Sequence, residues 1–175
     1  MELSYRDKTI KYTVYCLVLT AAAILQNVFA ARLEIFGARC FIVLPVAVII
    51  ALYEHEWAAS LLGLFAGAML DMFSAQHRGY SCFFLMLACF TLSALVEYLF
   101  RNNFQFSMLA SAAVIIIYVL LYWILYVLIP SKEGAGTVLA HFYIPSIIYT
   151  LAVTPVIYLA LTALQKRLNR RAKEV

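Results

Sequence analysis

Long apolar runs separated by short polar breaks restrict how this chain can fold more than any other feature. Of its 175 residues, 66% are hydrophobic and only 13% are charged, whereas a soluble domain is about half apolar and about a quarter charged. Several runs match the roughly 20 residues that cross a bilayer core of about 30 Å as a helix. No polar stretch is long enough to bury a core of its own. The sequence therefore predicts an all-α, polytopic membrane protein.

Six segments are predicted to span the membrane within one integral membrane domain, residues 1–175. They cover residues 12–31, 40–53, 57–73, 80–100, 106–130 and 142–165. The first segment follows a charged stretch and is too long for the apolar region of a signal peptide. The second and third segments are short, since a helix of about 17 residues reaches only about 25 Å. They are expected either to cross a locally thinned bilayer or to pack inside the other helices as a tight hairpin.

The placement of lysine and arginine predicts the orientation in the membrane. Six spans put both tails on one side, which then carries nine basic residues: Arg6, Lys8, Lys11, Arg101, Lys166, Arg167, Arg170, Arg171 and Lys173. The other side carries four: Arg32, Arg39, Arg78 and Lys132. Both termini are therefore predicted to be cytoplasmic. The basic tail, residues 166–175, is interpreted as the anchor of the last helix, with binding of anionic lipid head groups as the alternative.

The sequence contains no motif for catalysis, cofactor binding or metal binding. Its four cysteines lie in or beside apolar runs without C-x-x-C or Cys–His spacing, and its three histidines are scattered. There is no phosphate-binding loop, nucleophile elbow or zinc-protease motif. The chain is predicted not to be an enzyme. Its net charge of +4 lies mostly in the C-terminal tail and does not indicate nucleic-acid binding.

A carboxylate at the end of an apolar segment is the most unusual local feature. In GLFAGAMLDMFSAQHRGY, residues 63–80, Gly63 and Gly67 form a G-x-x-x-G pair, a spacing that lets helix backbones approach closely. Asp71 continues the four-residue spacing and so lies near the same helix face. The C-terminal end of a helix disfavours a negative charge, and Asp71 should therefore have a compensating partner.

Three roles are open for Asp71 at this stage. The carboxylate is solvated at the membrane surface, or it forms an ion pair or cap within the hairpin, or it contacts a partner or substrate. Arg32, Arg39 and Arg78 are predicted on the same side of the membrane and are its candidate ion-pair partners. Gly79 is expected to be a turn residue, where a side chain would obstruct the hairpin.

Three prolines are expected to shape the helices that contain them. Pro45 lies in the short second segment and is expected to bend it. Pro145 is expected in the first turn of the last helix, where its missing N–H costs little. Pro155 falls in the middle of that helix and is expected to kink it.

The order of these features resembles the bacterial rod shape-determining protein family MreD. The resemblance rests on LPVAVIIALYEHE, on GLFAGAMLD followed by a loop and a glycine, and on the final IPSIIYTLAVTPVIYLALTALQKRL. Gly63, Gly67, Asp71 and Gly79 match the most recognisable stretch of the family. Length and the number of predicted spans fit nearly the whole chain. One departure is Thr150, near which the family often has an asparagine.

The resemblance implies a non-enzymatic scaffold of the cell-elongation complex in the bacterial cell membrane, acting in cell shape and peptidoglycan synthesis. The implied partners are MreC and, through it, MreB, RodA and a class B penicillin-binding protein, without a cofactor or small-molecule substrate. We expect the Gly63–Gly67 face or a neighbouring groove to receive a transmembrane helix of another protein, and Gly67→Leu to weaken MreC binding. The alternative is a substrate-binding S component of an energy-coupling-factor vitamin transporter, which is similar in predicted fold. Asp71 and the three arginines would then lie at the mouth of a cavity.

Overall fold

The computed structural model describes residues 5–32, 40–73, 79–98, 103–129 and 135–171, with side chains over 9–28, 40–72, 79–98, 103–129 and 136–167. Regular secondary structure within these ranges is helical throughout. In chain order the helices are α1 (Tyr5–Arg32), α2 (Val43–Ala51), α3 (Glu56–Phe73), α4 (Tyr80–Tyr98), α5 (Phe104–Trp123), α6 (Ala135–Val138) and α7 (Ile144–Arg171). A π-helical turn extends α5 over Ile124–Leu128, and a second one, Leu139–Tyr143, joins α6 to α7.

The all-α membrane fold predicted from the apolar runs is confirmed. Among the described residues, four helical stretches are long and apolar enough to cross a bilayer: Thr9–Val28, Tyr80–Tyr98, Phe104–Leu128 and Gly136–Arg167. Their outward faces carry large apolar side chains that are mostly exposed, including Leu17, Phe83, Leu109 and Val156. Lipid tails can solvate such faces, and the helices satisfy their own main-chain groups. The chain is a multi-pass membrane protein.

Helix α2 lies at the centre of the bundle. All nine of its residues are buried, and α1, α3, α4, α5 and α7 pack around it. Nine helical residues rise only about 14 Å, less than half of a hydrocarbon core of about 30 Å. A full crossing by segment 40–53 therefore does not fit this helix. The structure has the other arrangement considered for it, a short element packed inside the other helices.

Pro45 occupies the third position of α2. The first turn of a helix has N–H groups without helical partners, so a proline there removes nothing that the helix uses. Pro45 therefore does not require a bend in α2, and the bend expected for this segment stays a prediction.

The last helix begins earlier than predicted, because α6 starts at Ala135 and continues through the π-helical turn into α7. Pro145 is thus not in the first turn of this helical stretch. A proline inside a helix lacks an N–H and crowds the carbonyl four residues earlier. The wider π-helical turn directly before it, closed by the Ile144 N–H on the Leu139 carbonyl, accommodates the ring. Pro155 lies inside α7, and the kink there stays a prediction.

Candidate functional site

Asp71 lies in the last turn of α3, and its side chain reaches the beginning of α4. The residue is buried, with 7% of its surface exposed. Its Oδ2 accepts hydrogen bonds from the N–H groups of Gly79 at 2.8 Å and Cys82 at 3.1 Å, and its Oδ1 accepts one from Ser81 at 3.3 Å. N–H groups in the first turn of a helix lack partners within that helix. Asp71 therefore caps α4 from the neighbouring helix, which is the cap among the three roles considered for it.

The helix dipoles explain why a carboxylate is stable at this position. The C-terminal end of α3 disfavours the charge of Asp71, but the N-terminal end of α4 favours it, and hydrogen bonds to an ionised acceptor are strong. Main-chain donors thus supply the compensation that we expected from a cation. Arg32, Arg39 and Arg78 lie outside the residues whose side chains are described, so an ion pair with any of them stays a prediction.

Gly79 lets the chain enter α4 with its N–H directed at Asp71. Its φ angle of +99° lies in the left-handed region, which glycine adopts without the cost that a side chain imposes. A β-carbon on Gly79 would meet nothing within 4 Å. The turn predicted at Gly79 is present, but the requirement for glycine is conformational; a side chain would not obstruct the hairpin.

Gly63 and Gly67 bring the backbones of α3 and α4 into direct contact. A β-carbon on Gly63 would lie 2.5 Å from the carbonyl oxygen of Leu85 and 2.9 Å from the β-carbon of Cys89. A β-carbon on Gly67 would lie 2.5 Å from the α-carbon of Cys82. The two glycines therefore serve packing within this chain. The expected docking of another protein's helix does not hold for the glycine face itself, because α4 fills it.

Aromatic side chains fasten α5 to the capped end of α4. The Tyr80 hydroxyl donates a hydrogen bond to the Tyr118 carbonyl at 2.8 Å, and the hydroxyls of Ser81 and Tyr118 lie 2.9 Å apart. The ring of Tyr80 also contacts the rings of Tyr122 at 5.6 Å and Tyr126 at 5.7 Å between centroids. Edge-on aromatic pairs add to the stabilisation that burial provides. The Asp71 cap therefore sits in a fixed environment of three helices.

A second buried carboxylate, which the sequence patterns did not reveal, lies at the opposite end of α3. Glu54 belongs to the turn between α2 and α3, and only 5% of its side chain is exposed. It forms an ion pair with Lys11 of α1 and accepts a hydrogen bond from the Tyr15 hydroxyl at 3.0 Å. Gln165 of α7 donates to the same phenol oxygen at 3.5 Å. We call these four residues the Glu54 cluster.

Two further contacts hold the α2–α3 turn against its neighbours. The Ser93 hydroxyl of α4 donates to the main-chain carbonyl of Glu54, and the hydroxyls of Tyr53 and Thr162 of α7 lie 3.4 Å apart. In the sequence this turn is the polar break EHE, which resembles an ordinary solvated loop. The available signal was the spacing of Lys11 and Tyr15, which places both on one face of α1. That spacing does not say what the face contacts.

Side chains of α1 and α7 accept hydrogen bonds from the first residue of α2 and from the chain just before it, inside the bundle. Oε1 of Gln26 accepts a hydrogen bond from the Val43 N–H at 3.0 Å, and Oγ1 of Thr150 accepts one from the Phe41 N–H at 3.1 Å. The Thr150 hydroxyl donates in turn to the Ser146 carbonyl at 2.7 Å. Thr150 is the departure from the family pattern noted above, and here its hydroxyl connects α7 to the chain entering α2.

The described residues contain no group of three or more His, Cys, Asp or Glu side chains placed to hold a metal ion. The four cysteines, Cys16, Cys40, Cys82 and Cys89, are free thiols. The site at the α3–α4 junction consists of a cap, a left-handed turn and a close helix contact. Its evident chemistry is the fixing of one helix against another.

Comparison with known proteins identifies the family of the chain. The family model described as rod shape-determining protein MreD matches residues 7–168. Neither the search of curated proteins nor the search of solved structures gave a significant match. The matched range is nearly the whole chain and includes the α3–α4 junction, whose Gly63, Gly67, Asp71 and Gly79 carried the resemblance. The chain therefore belongs to the MreD family of rod shape-determining proteins.

Proposed function

We propose that the protein is a non-enzymatic membrane scaffold of the bacterial cell-elongation complex. It binds MreC within the membrane and connects it to MreB, RodA and a class B penicillin-binding protein. Family membership assigns a role in rod shape determination. The observation that supports the scaffold role is the architecture of the described chain, in which long apolar helices that face the lipid surround the buried α2 and are joined by short connections. Its available working surface is therefore the outer surface of those helices.

The partner helix is proposed to dock on an outward face of a long helix, since α4 occupies the glycine face. Such faces run along α4 and α7 at helical spacing: Phe83, Leu87 and Leu95 on α4, and Ile148, Val156 and Leu159 on α7. Helix association in lipid depends on close packing and hydrogen bonds, because lipid tails already solvate apolar side chains. Gly67→Leu no longer tests partner binding, because it would separate α3 from α4 in the free protein.

Both termini are proposed to lie in the cytoplasm. The Glu54 cluster supports a common side for the two tails, because it joins the beginning of α1 to the end of α7 through Tyr15 and Gln165. Lys166 and Arg167 are exposed at the same end of α7, which suits the positive-inside rule. Fusion of a periplasm-active phosphatase and of a cytoplasm-active fluorescent protein to each terminus tests this. Phosphatase activity at either terminus would contradict the proposed orientation.

A cross-linking scan in native membranes tests the scaffold role and maps its surface. A photoreactive amino acid is placed at one exposed apolar position on each of five helices: Leu17, Leu61, Phe83, Leu109 and Val156. Cross-linked proteins are identified by mass spectrometry. We expect cross-links to MreC from the helices on one side of the bundle. The positions on the other helices serve as matched controls. Absence of MreC at all five positions, or recovery of transporter ATPase and coupling subunits instead, would contradict the proposal.

A further inference from the structure

The Glu54 cluster joins parts of the chain that are far apart in sequence, and the proposed scaffold role does not use it. Lys11 and Tyr15 approach from α1, Gln165 approaches from α7, and Ser93 of α4 holds the main chain of Glu54 itself. The cluster thus contacts both terminal helices and the turn that leads out of the buried α2. A surface ion pair, by contrast, connects only the two helices or loops that carry its charged residues.

The charge balance of the cluster depends on a single pair among the described side chains. Among the residues whose side chains are described, the titratable groups that face Glu54 are Lys11, Tyr12 and Tyr15, all on α1, whereas α7 contributes the neutral amide of Gln165 and α4 a hydroxyl. Removing one member of a buried pair leaves the other charge uncompensated. Charged groups inside a membrane bundle are costly without a partner. Lys11 and Glu54 therefore depend on each other to stay in place.

Tyr15 extends this dependence from α1 to α7. Its phenol oxygen donates to Glu54 and accepts from Gln165 at 3.5 Å, so the hydroxyl that is oriented towards Glu54 also contacts α7. We propose that Lys11 and Glu54 form a clasp that couples the two terminal helices. Opening the pair at either member releases the beginning of α1 and the end of α7 together. The clasp transmits a displacement of the beginning of α1 to the end of α7, and the reverse.

Hydrogen–deuterium exchange of the purified full-length protein in lipid nanodiscs tests the clasp. The two reporter regions are residues 9–16 of α1 and residues 158–167 of α7. In Glu54→Gln and in Lys11→Met, we expect exchange to accelerate at least about tenfold in both regions, because each variant leaves a buried partner unpaired. The charge-swapped variant Lys11→Glu/Glu54→Lys should return both regions towards wild-type rates. Glu97→Gln is the matched control, since Glu97 is an exposed acid that lies 3.6 Å from His55.

The outcomes separate coupling from a local structural role. Faster exchange in residues 9–16 alone, or in the α2–α3 turn alone, would overturn the proposal, because the two helices would then respond independently. If Glu54→Gln does not fold, the charge-swapped variant decides: wild-type exchange in both regions supports the clasp. Raised exchange in the swap, or a swap that does not fold, overturns it, because the swap restores opposite charges and the ammonium introduced at position 54 can donate to the Tyr15 oxygen, which keeps a second lone pair for Gln165. None of these results depends on the binding of MreC.

Discussion

Asp71 and Glu54 are both buried carboxylates at the ends of α3, but they are satisfied in opposite ways. Asp71 accepts from main-chain N–H groups that follow it by 8 to 11 residues. Glu54 contacts side chains, and its partner Tyr15 precedes it by 39 residues. Main-chain donors are present whatever the local sequence, whereas side-chain partners must be the right residues brought together by the fold. Both arrangements stabilise a buried carboxylate, but the long-range cluster is lost when a single partner residue is substituted, whereas the main-chain cap is not.

The two regions also differ in what a substitution leaves behind. Without Asp71, the groups that lose their hydrogen-bond acceptor are neutral N–H groups at the beginning of α4. Without Glu54, Lys11, whose side chain is only one-fifth exposed, loses its counter-charge. The desolvation cost of a charge exceeds that of a neutral amide. We therefore expect the Glu54 region to be the more sensitive of the two to loss of its carboxylate.

The largest effect is expected from Gly67→Ala, which disrupts the close contact between α3 and α4 one helical turn before Asp71. Its new β-carbon would lie 2.5 Å from the Cys82 α-carbon, and main chain cannot move aside as a side chain can. We expect the free energy of unfolding, measured by SDS titration in mixed micelles, to fall by about 3 kcal/mol or more. Gly136→Ala is the control, since a β-carbon there meets nothing within 4 Å. Equal effects of the two variants would show that α3 and α4 are not in close contact.

Glu54→Gln is expected to lower the free energy of unfolding by about 2–3 kcal/mol, less than for a wholly buried pair because Lys11 retains some solvent. Combining it with Lys11→Met removes the stranded charge as well. The double variant should therefore be more stable than Glu54→Gln alone. Strictly additive losses in the same SDS titration would mean that the two side chains do not interact.

Asp71→Asn is expected to cost about 1–2 kcal/mol, as for the loss of a helix cap, since the amide keeps one acceptor oxygen but no charge. Amide exchange at Gly79, Ser81 and Cys82 should accelerate in this variant, because their acceptor is weakened. A loss as large as that from Glu54→Gln would contradict the ranking of the two regions. Unchanged exchange at the three amides would contradict the cap.

The smallest effect is expected from Glu97→Gln. Glu97 is 41% exposed and His55 is 62% exposed, and pairs of this kind contribute about 0–1 kcal/mol. We expect a change below about 0.5 kcal/mol in the same titration. A loss comparable to that from Glu54→Gln would show that burial does not distinguish the two acids.

The helices and the membrane class could be predicted from the sequence, because both depend on the length and polarity of contiguous runs. The α3–α4 junction could be predicted in part for the same reason. Gly63, Gly67, Asp71 and Gly79 lie within 17 residues of each other, and helical spacing relates them directly. The sequence did not identify the donors to Asp71. The charge pattern led us to expect arginine partners, because main-chain N–H groups leave no trace in a sequence.

The tertiary structure alone decided which surfaces meet. It buries α2 among five helices, fills the glycine face with α4, and provides acceptors from Gln26 and Thr150 for N–H groups at the entry to α2. It also brings Lys11, Tyr15 and Gln165 to Glu54. Local sequence determined each helix, because a helix closes its hydrogen bonds within four residues. Pairing between helices also depends on contacts between residues that are far apart in the chain, some of them by 100 residues or more, and no local spacing encodes these.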